Sequence, residues 1–263
     1  MKTGEVTPID ISELATGYDN KRRMDPAEFE RLLAWILHYG GVAGRILEIG
    51  CGTGFYLVPL ARRLADTLCF GLDITDAMLN QARTKVKEES LGNCFLVKAN
   101  AHYLPFQEVC FDFVLMSQVL HYFHDRHQVA ADVCRVSQPG AKLLVITTSH
   151  PQLRSQVDLS FFPGVPARDV ARVPSLPEIR CLFEEHGFAL FASIEFASTF
   201  KAASADALVE WAARKPWSSY LLFDDKELHR RLKAFGRNLK RAFGCGEIVY
   251  LVPQTLLFFR KTV

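Results

Sequence analysis

Long apolar runs are missing from this chain. No stretch approaches the length a bilayer demands, and the opening residues MKTGEVTPIDISELATGYDN lack the apolar core of a signal peptide, so a cytoplasmic protein with no membrane partner is expected. A charge excess is missing too. The 31 basic and 29 acidic side chains leave a net charge of +2, which gives no global field to recruit nucleic acid and leaves only a local basic patch as a route to it. The seven cysteines, at positions 51, 69, 94, 110, 134, 181 and 245, form no C-x-x-C pair and no short-spaced framework. They read as reduced, mostly buried small hydrophobes. Internal repeats and low-complexity tracts are absent. With 49% hydrophobic and 23% charged residues over 263 positions, the composition is that of an ordinary globular enzyme, one large domain or one domain with a smaller lobe.

What is present is alternation. From about residue 45 to 148, short β-branched apolar runs alternate with amphipathic stretches, the pattern of βαβ units around a parallel sheet. Strands are expected at 45–51, 68–74, 94–101, 111–119 and 142–148, with helices at 55–65, 76–89 and 127–137; Gln138-Pro139-Gly140 is a stop signal after the last of these. Ahead of this core, residues 26–39 carry Phe29, Leu32, Leu33, Ile36 and Leu37 on one helical stripe, expected to cover the cofactor edge. Behind it, residues 150–177 show no strong periodicity, and a loop of that length is expected near the active site. A helix at 176–186, a strand at 188–197 and a final strand at 247–261 follow; Pro253 suits an edge or a bulge better than a central ladder. The organisation expected is a helical segment 1–40, a core 41–202, a helical lid insertion 203–246 and a last core strand 247–263.

The most informative residues are Glu48-Ile49-Gly50-Cys51-Gly52-Thr53-Gly54, a glycine loop between the first strand and the first core helix. In open α/β sheets ligands bind outside the carboxyl ends of the strands, where strand order reverses, and this loop falls there. Glycines let backbone turn tightly and approach a ligand; a tight turn without ligand is the alternative. A dinucleotide site would want G-x-G-x-x-G, but Phe55 stands at its last glycine, and the Gly-Lys-Ser/Thr of a phosphate-binding P-loop is absent. Asp73, 19 residues after Gly54, is placed to accept from ribose hydroxyls or to start a helix with Thr75 and Asp76.

E-x-G-x-G-x-G after the first strand resembles motif I of the class I S-adenosylmethionine-dependent methyltransferases. Later segments resemble the ubiquinone/menaquinone-biosynthesis-like (type 11) branch: Asn100-Ala101 before Leu104-Pro105-Phe106, then Phe111-Asp112-Phe113-Val114, then Val136 to Leu144. The resemblance runs from about Gly44 to Gly187. It implies a doubly wound α/β sheet of seven strands in the order 3-2-1-4-5-7-6, with strand 7 antiparallel, and S-adenosylmethionine as cofactor, leaving S-adenosylhomocysteine. It also implies that Gly50, Cys51, Gly52 and Gly54 border the methionine and ribose portions and that Ile74 and Met78 flank the adenine. Asn100 and Ala101 lie beside the adenine amino group, Ser117, Gln118 and Val119 lie beneath the sulfonium, and Glu48 orients the loop or the methionine amino group. Asn100 stands where the family usually has Asp, and its side-chain oxygen can still accept from the adenine amino group. Tyr18-Asp19 followed by Arg22 or Arg23 resembles a pair and downstream arginine that close over the cofactor, a guanidinium suiting the methionine carboxylate.

Methyl transfer from a sulfonium is an in-line displacement with a neutral leaving group, so alignment and exclusion of water matter most. A base helps an acceptor that starts protonated, and His121, then Tyr122 and His124, are the candidates after the fourth strand. His121, His124 and His127 do not share one helical face, and no metal is expected. Neither Asn/Asp-Pro-Pro-Tyr/Phe nor a Pro-Cys pair follows that strand, which argues against the common nucleobase enzymes. Aromatic residues of 150–177 and 203–243 suit a partly apolar small molecule, methylated on O or N. Arg230, Lys233, Arg237 and Arg241 form a basic stripe: a solvated helix face, or a dock for an acidic peptide, a carrier protein or RNA. A regulator that binds the cofactor without catalysis and a nicotinamide-dependent dehydrogenase are the remaining alternatives.

Overall fold

A computed structural model describes residues 11–15, 17–22, 24–41 and 44–262. In chain order its elements are α1 (Ser12–Ala15), α2 (Tyr18–Arg22), α3 (Pro26–Gly40), β1 (Arg45–Ile49), α4 (Leu57–Arg63), β2 (Leu68–Asp73), α5 (Asp76–Glu88), β3 (Cys94–Lys98), β4 (Phe111–Ser117), α6 (Arg126–Val136) and β5 (Ser137–Thr147). Then come α7 (His150–Ser155), α8 (Val157–Ser160), α9 (Val165–Arg172), α10 (Leu176–Glu185), β6 (Phe188–Ala202), α11 (Ala205–Ala213), α12 (Asp225–Phe243) and β7 (Ile248–Lys261).

The seven strands form one sheet in the order β3-β2-β1-β4-β5-β7-β6, parallel from β3 to β5, with β7 antiparallel to both neighbours. The expected topology is therefore the observed one. Strand order reverses between β1 and β4, and the glycine loop leaves β1 at that point. The central strands are buried on both faces, as their continuous apolar runs require. Leu32, Leu33 and Ile36 of α3 pack with Leu57 and Leu60 of α4 on one face, while Val129 and Val133 of α6 and Ile179 and Phe183 of α10 cover the other. Each such side chain, fully withdrawn from water, contributes roughly 2 kcal/mol before entropy.

Several boundaries differ from the sequence expectation. α3 lies against the sheet, not over the sheet's ligand end, because its apolar stripe meets Ile46, Phe113, Ile146 and Phe258. β5 begins at Ser137, so the Pro-Gly stop falls in a bulge inside the strand: Ser137 faces Phe111, the register slips before Phe113 meets Lys142, and Gly140 absorbs a φ of 76°. β3 ends at Lys98, and Ala99 to Ala101 leave the ladder. Residues 150–177 hold three short helices instead of a loop; α7 starts with a reciprocal capping box between Ser149 and Gln152 that periodicity does not reveal. Pro253 sits in a strand that is central in the sheet. It pairs with Ala197 of β6, while β5 contacts β7 only from Thr255 onward, so the missing N–H falls where that strand has one neighbour.

α11, a 3-10 turn Ser218–Leu222 and α12 stand between β6 and β7. They share a second apolar cluster with α7 to α9, in which Phe162 meets Tyr220 and Phe235 edge-on or tilted, at 4.9 and 5.3 Å between centroids. No described helix is long and apolar enough to cross a membrane.

Candidate functional site

Two clefts open at the carboxyl ends of the parallel strands and meet at Gly50, Asp73, Val119 and Tyr122. The first, about 1000 Å³ counting its mouth, runs from the glycine loop toward α7, α9 and the 3-10 turn at Ser218–Leu222. The second, about 640 Å³, runs toward Ile74, Asn100 and His124.

Gly50 forms the floor where the clefts meet, and Gly52 continues it into the first cleft. Gly50 has φ 70°, and a Cβ there would stand 2.5 Å from Val119 Cγ2; Gly52 has φ 53° with nothing nearer than Met78 Sδ at 4.0 Å, which leaves its surface to a ligand. Asp73 closes β2 and is buried. Its Oδ2 accepts from Gly52 N at 2.9 Å and its Oδ1 from Thr75 N at 2.8 Å, so it braces the loop and the entry to α5 while each oxygen keeps a further lone pair. Of the two roles read for Asp73 in the sequence, the one at the start of the helix is visible in its bond to Thr75 N. Thr75, not Asp73, is the helix N-cap.

Three predicted residues stand behind the cleft walls instead of on them. Gly54 turns toward Val58 and Ala82, Cys51 is buried beneath the loop against Gly71, and Glu48 is buried at the end of β1. Burial pushes the Cys51 thiol well above its ordinary range, with Glu48 and Asp73 adding to the effect, so it is inert as a nucleophile. Met78 is buried under Gly52, and Ile74 stands 60% exposed on the rim of the second cleft, a large apolar side chain left to water.

Asn100 and Ala101 both line the second cleft. The expectation that the Asn100 oxygen faces an adenine amino group needs correction. That oxygen accepts from the backbone N–H of His102 at 3.0 Å and from His102 Nδ1 at 2.8 Å, which leaves the amide nitrogen to meet a ligand. His102, absent from the sequence reading, is buried and ordered on both nitrogens: Nε2 accepts from Asp125 N at 3.3 Å, which fixes the proton on Nδ1. Its ring stacks on His124 at 3.9 Å. Burial, and then the neighbouring His124, lower its pKa. A histidine four residues past a strand end carries no sequence signal of this kind.

After β4 the chain turns sharply. Gln118 adopts φ 52°, uncommon for a residue with a Cβ, and is held by its N–H to Ile146 O at 2.8 Å and by Nε2 to Thr148 Oγ1 at 3.0 Å. The turn brings Ser117, Gln118 and Val119 to the first cleft, with His121 and Tyr122 beside them, ring centroids 4.1 Å apart. His124 does not join them; it lies in the second cleft against His102.

Tyr18 lines the first cleft together with Ile11 and Leu14. Asp19 pins this segment to the glycine loop: it accepts from Thr53 Oγ1 at 2.6 Å and pairs with Lys85, whose Nζ also donates to Thr53 O at 2.8 Å. Lys85 and Thr53 were invisible as partners because they lie on elements far apart in sequence. Arg23 lies outside the described residues. Arg230, Lys233, Arg237 and Arg241 are exposed on α12. Among the described residues no three His, Cys, Asp or Glu gather as metal ligands.

Comparison with known proteins adds three findings. Residues 47–145 match the family model described as a methyltransferase domain. A demethylmenaquinone methyltransferase of Shouchella clausii is 34% identical over 117 residues, 44% of this chain and 50% of that protein; the matched region spans about half the length of such relatives. Among solved structures, the 4+2 cyclase SpnF is 16% identical with a TM-score of 0.64 over 97% of this chain and 96% of that one. A SAM-dependent methyltransferase from Aquifex aeolicus is 22% identical, with a TM-score of 0.56 over 68% and 92%. At such identities the structures establish a shared fold and nothing finer.

Proposed function

From a chain whose core belongs to the class I S-adenosylmethionine-dependent methyltransferases, in the menaquinone-biosynthesis-like branch, we propose an enzyme that moves a methyl group to an O or N atom of a small metabolite or natural-product intermediate. When bound, S-adenosylmethionine supplies an electrophilic methyl group on a sulfonium. The observation that carries the reading is the junction of the two clefts: backbone without a Cβ atom at Gly50, continued by Gly52 into the first cleft, a buried carboxylate at Asp73, and Tyr122 facing both sides.

On this reading the second cleft takes the adenosine end. Asp73 accepts from ribose hydroxyls through the lone pairs its backbone bonds leave open, Ile74 supplies apolar contact from this cleft and Met78 from the first, and Asn100 with Ala101 meets the base. Ser117 to Val119 form the floor at the methionine end, and Tyr18 with its neighbours covers it. Glu48, Cys51 and Gly54 act from behind, setting the shape of the loop. The acceptor lies in the first cleft, where His121 takes its proton and Tyr122 packs against it. His124 is a neighbour of the adenosine end, not a base. The seven free cysteines agree with a cytoplasmic location.

Calorimetric titration with S-adenosylmethionine and S-adenosylhomocysteine tests the reading. Micromolar binding, lost in Asp73→Ala and Gly52→Val while both variants remain folded, is expected. No binding of either compound by the wild-type protein overturns it.

A further inference from the structure

The far wall of the first cleft contains an arginine whose hydrogen bonds are incomplete. Arg172 closes α9 with its side chain only 12% exposed. One edge of its guanidinium is fully engaged: Nε donates to Asp169 Oδ1 at 2.8 Å, and Nη2 donates to Ser218 Oγ at 2.8 Å and Ser219 Oγ at 3.4 Å. Ser219 Oγ in turn donates to Asp169 Oδ2 at 2.5 Å, so the fork is held from two elements. The other edge is different. Nη1 is withdrawn from bulk water and has no partner among the described residues, and Arg172 lines the cleft. A guanidinium N–H left in that condition is costly, and a ligand oxygen repays it.

A second incomplete group lines the same cleft. Gln254 of β7 keeps its Oε1 buried without a partner among the described residues. The wall therefore presents one charge-assisted donor and one acceptor, with apolar surface from Leu153, Leu159, Trp217 and Val252 beside them. The charge balance decides the anion. Arg172 and the half-buried Arg126, which donates to Arg172 O at 2.9 Å, stand against Asp169 and the buried Asp158 behind Trp217. With no surplus positive charge, the wall suits a monoanion better than a phosphate dianion. Tyr122 spans the distance to the reaction centre: its ring centroid is 6.0 Å from Arg172 Cζ, and it also lines the second cleft.

We propose that the methyl acceptor is a small, partly apolar carboxylic acid, anchored by its carboxylate on Arg172 Nη1, with a hydroxyl or amino group donating to Gln254 Oε1. This rests on the methyltransferase reading above. The anchor sits beyond Tyr122 from the glycine loop, so it fixes one end of the acceptor and leaves the other to reach past that ring toward the methyl group. Arg172 and Gln254 are specificity residues for the acceptor and leave the cofactor untouched.

The test uses protein saturated with S-adenosylhomocysteine and titrated with benzoate, 2-aminobenzoate, benzamide, methyl benzoate and phenyl phosphate. The carboxylates are expected to bind at least about tenfold more tightly than the amide, ester and phosphate, since a bond to a charged acceptor is the stronger one. Arg172→Met loses that preference while binding of S-adenosylhomocysteine is unchanged; Gln254→Leu weakens 2-aminobenzoate more than benzoate. If Arg172→Met fails to fold, the wild-type ranking and Gln254→Leu decide. Equal binding of benzoate and benzamide, no binding of any carboxylate to the saturated protein, or tighter binding of phenyl phosphate overturns the proposal and leaves the methyltransferase reading standing. Failure to bind S-adenosylhomocysteine removes both.

Discussion

The two clefts share a border but are built by different means. The one beneath Asp73 and Asn100 is made at the ends of parallel strands, from backbone turns, glycines and one braced carboxylate. The other ends on α7, α9, the 3-10 turn at Ser218–Leu222 and β7, where side chains separated by up to 62 positions in sequence form a buried polar network: Asp169, Arg172, Ser218 and Ser219 on one side, Asp158, Trp217 and Tyr220 on the other. A backbone site tolerates little variation of main-chain shape and much variation of the surrounding side chains. A side-chain site behaves in the opposite way, which lets one wall keep a common ligand while the other is remade.

Substitution at Gly50 should separate the two most sharply. In Gly50→Val the new side chain must displace Val119 and hold a φ of 70°, a strain of roughly 1–2 kcal/mol before any clash. Binding of S-adenosylhomocysteine, followed by calorimetry, should fall by about a hundredfold or more, and retention of affinity would remove the loop from the cofactor site. In the other wall, pH is the probe. Burial raises Asp158 from 3.8 to about 6, so the folded state disfavours its charge. The unfolded chain ionises first, and stability present below pH 4 is lost as pH rises to about 6 and stays lost above it. Asp158→Asn, which can still accept from Trp217 Nε1, should therefore be more stable than wild type at pH 8 by as much as about 3 kcal/mol and show no gain at pH 3.5. Urea midpoints at the two pH values measure this, and an equal difference at both would contradict it. The smallest effect belongs to the exposed face of α12. Arg237→Glu with Arg241→Glu should leave stability within about 0.5 kcal/mol and acceptor turnover unchanged; a large loss of turnover would revive a macromolecular partner.

What was legible in the sequence follows the same division. The strands, the glycine loop and Asp73 were readable because each is written in contiguous residues: an apolar run, a turn without Cβ atoms, a carboxylate at a strand end; the order of the strands came from the resemblance those motifs carry. The start of β5 and the end of β3 were misplaced, since pairing to a neighbouring strand, not local propensity, decides where a ladder continues. His102 escaped notice because its role depends on Asn100 and on the Asp125 N–H, 23 residues on. Arg172 escaped for the same reason. In sequence it is one basic residue at a helix end, and only folding places it between Asp169 and the serines of the 3-10 turn. His124, grouped with His121 by adjacency, was drawn into the other cleft by a short extended link after the 3-10 turn Leu120–Tyr122.

Tyr122 borders both clefts, and so do Gly50, Asp73 and Val119. A molecule on either side must therefore press on the same few atoms as its companion. Thermodynamic linkage makes that influence mutual: whatever factor the adenosine-bearing compound applies to the affinity of the carboxylic acid, the acid returns in full. Measuring one affinity with and without the other compound yields the free energy exchanged across a single tyrosine ring, and Tyr122→Ala should bring that factor close to one.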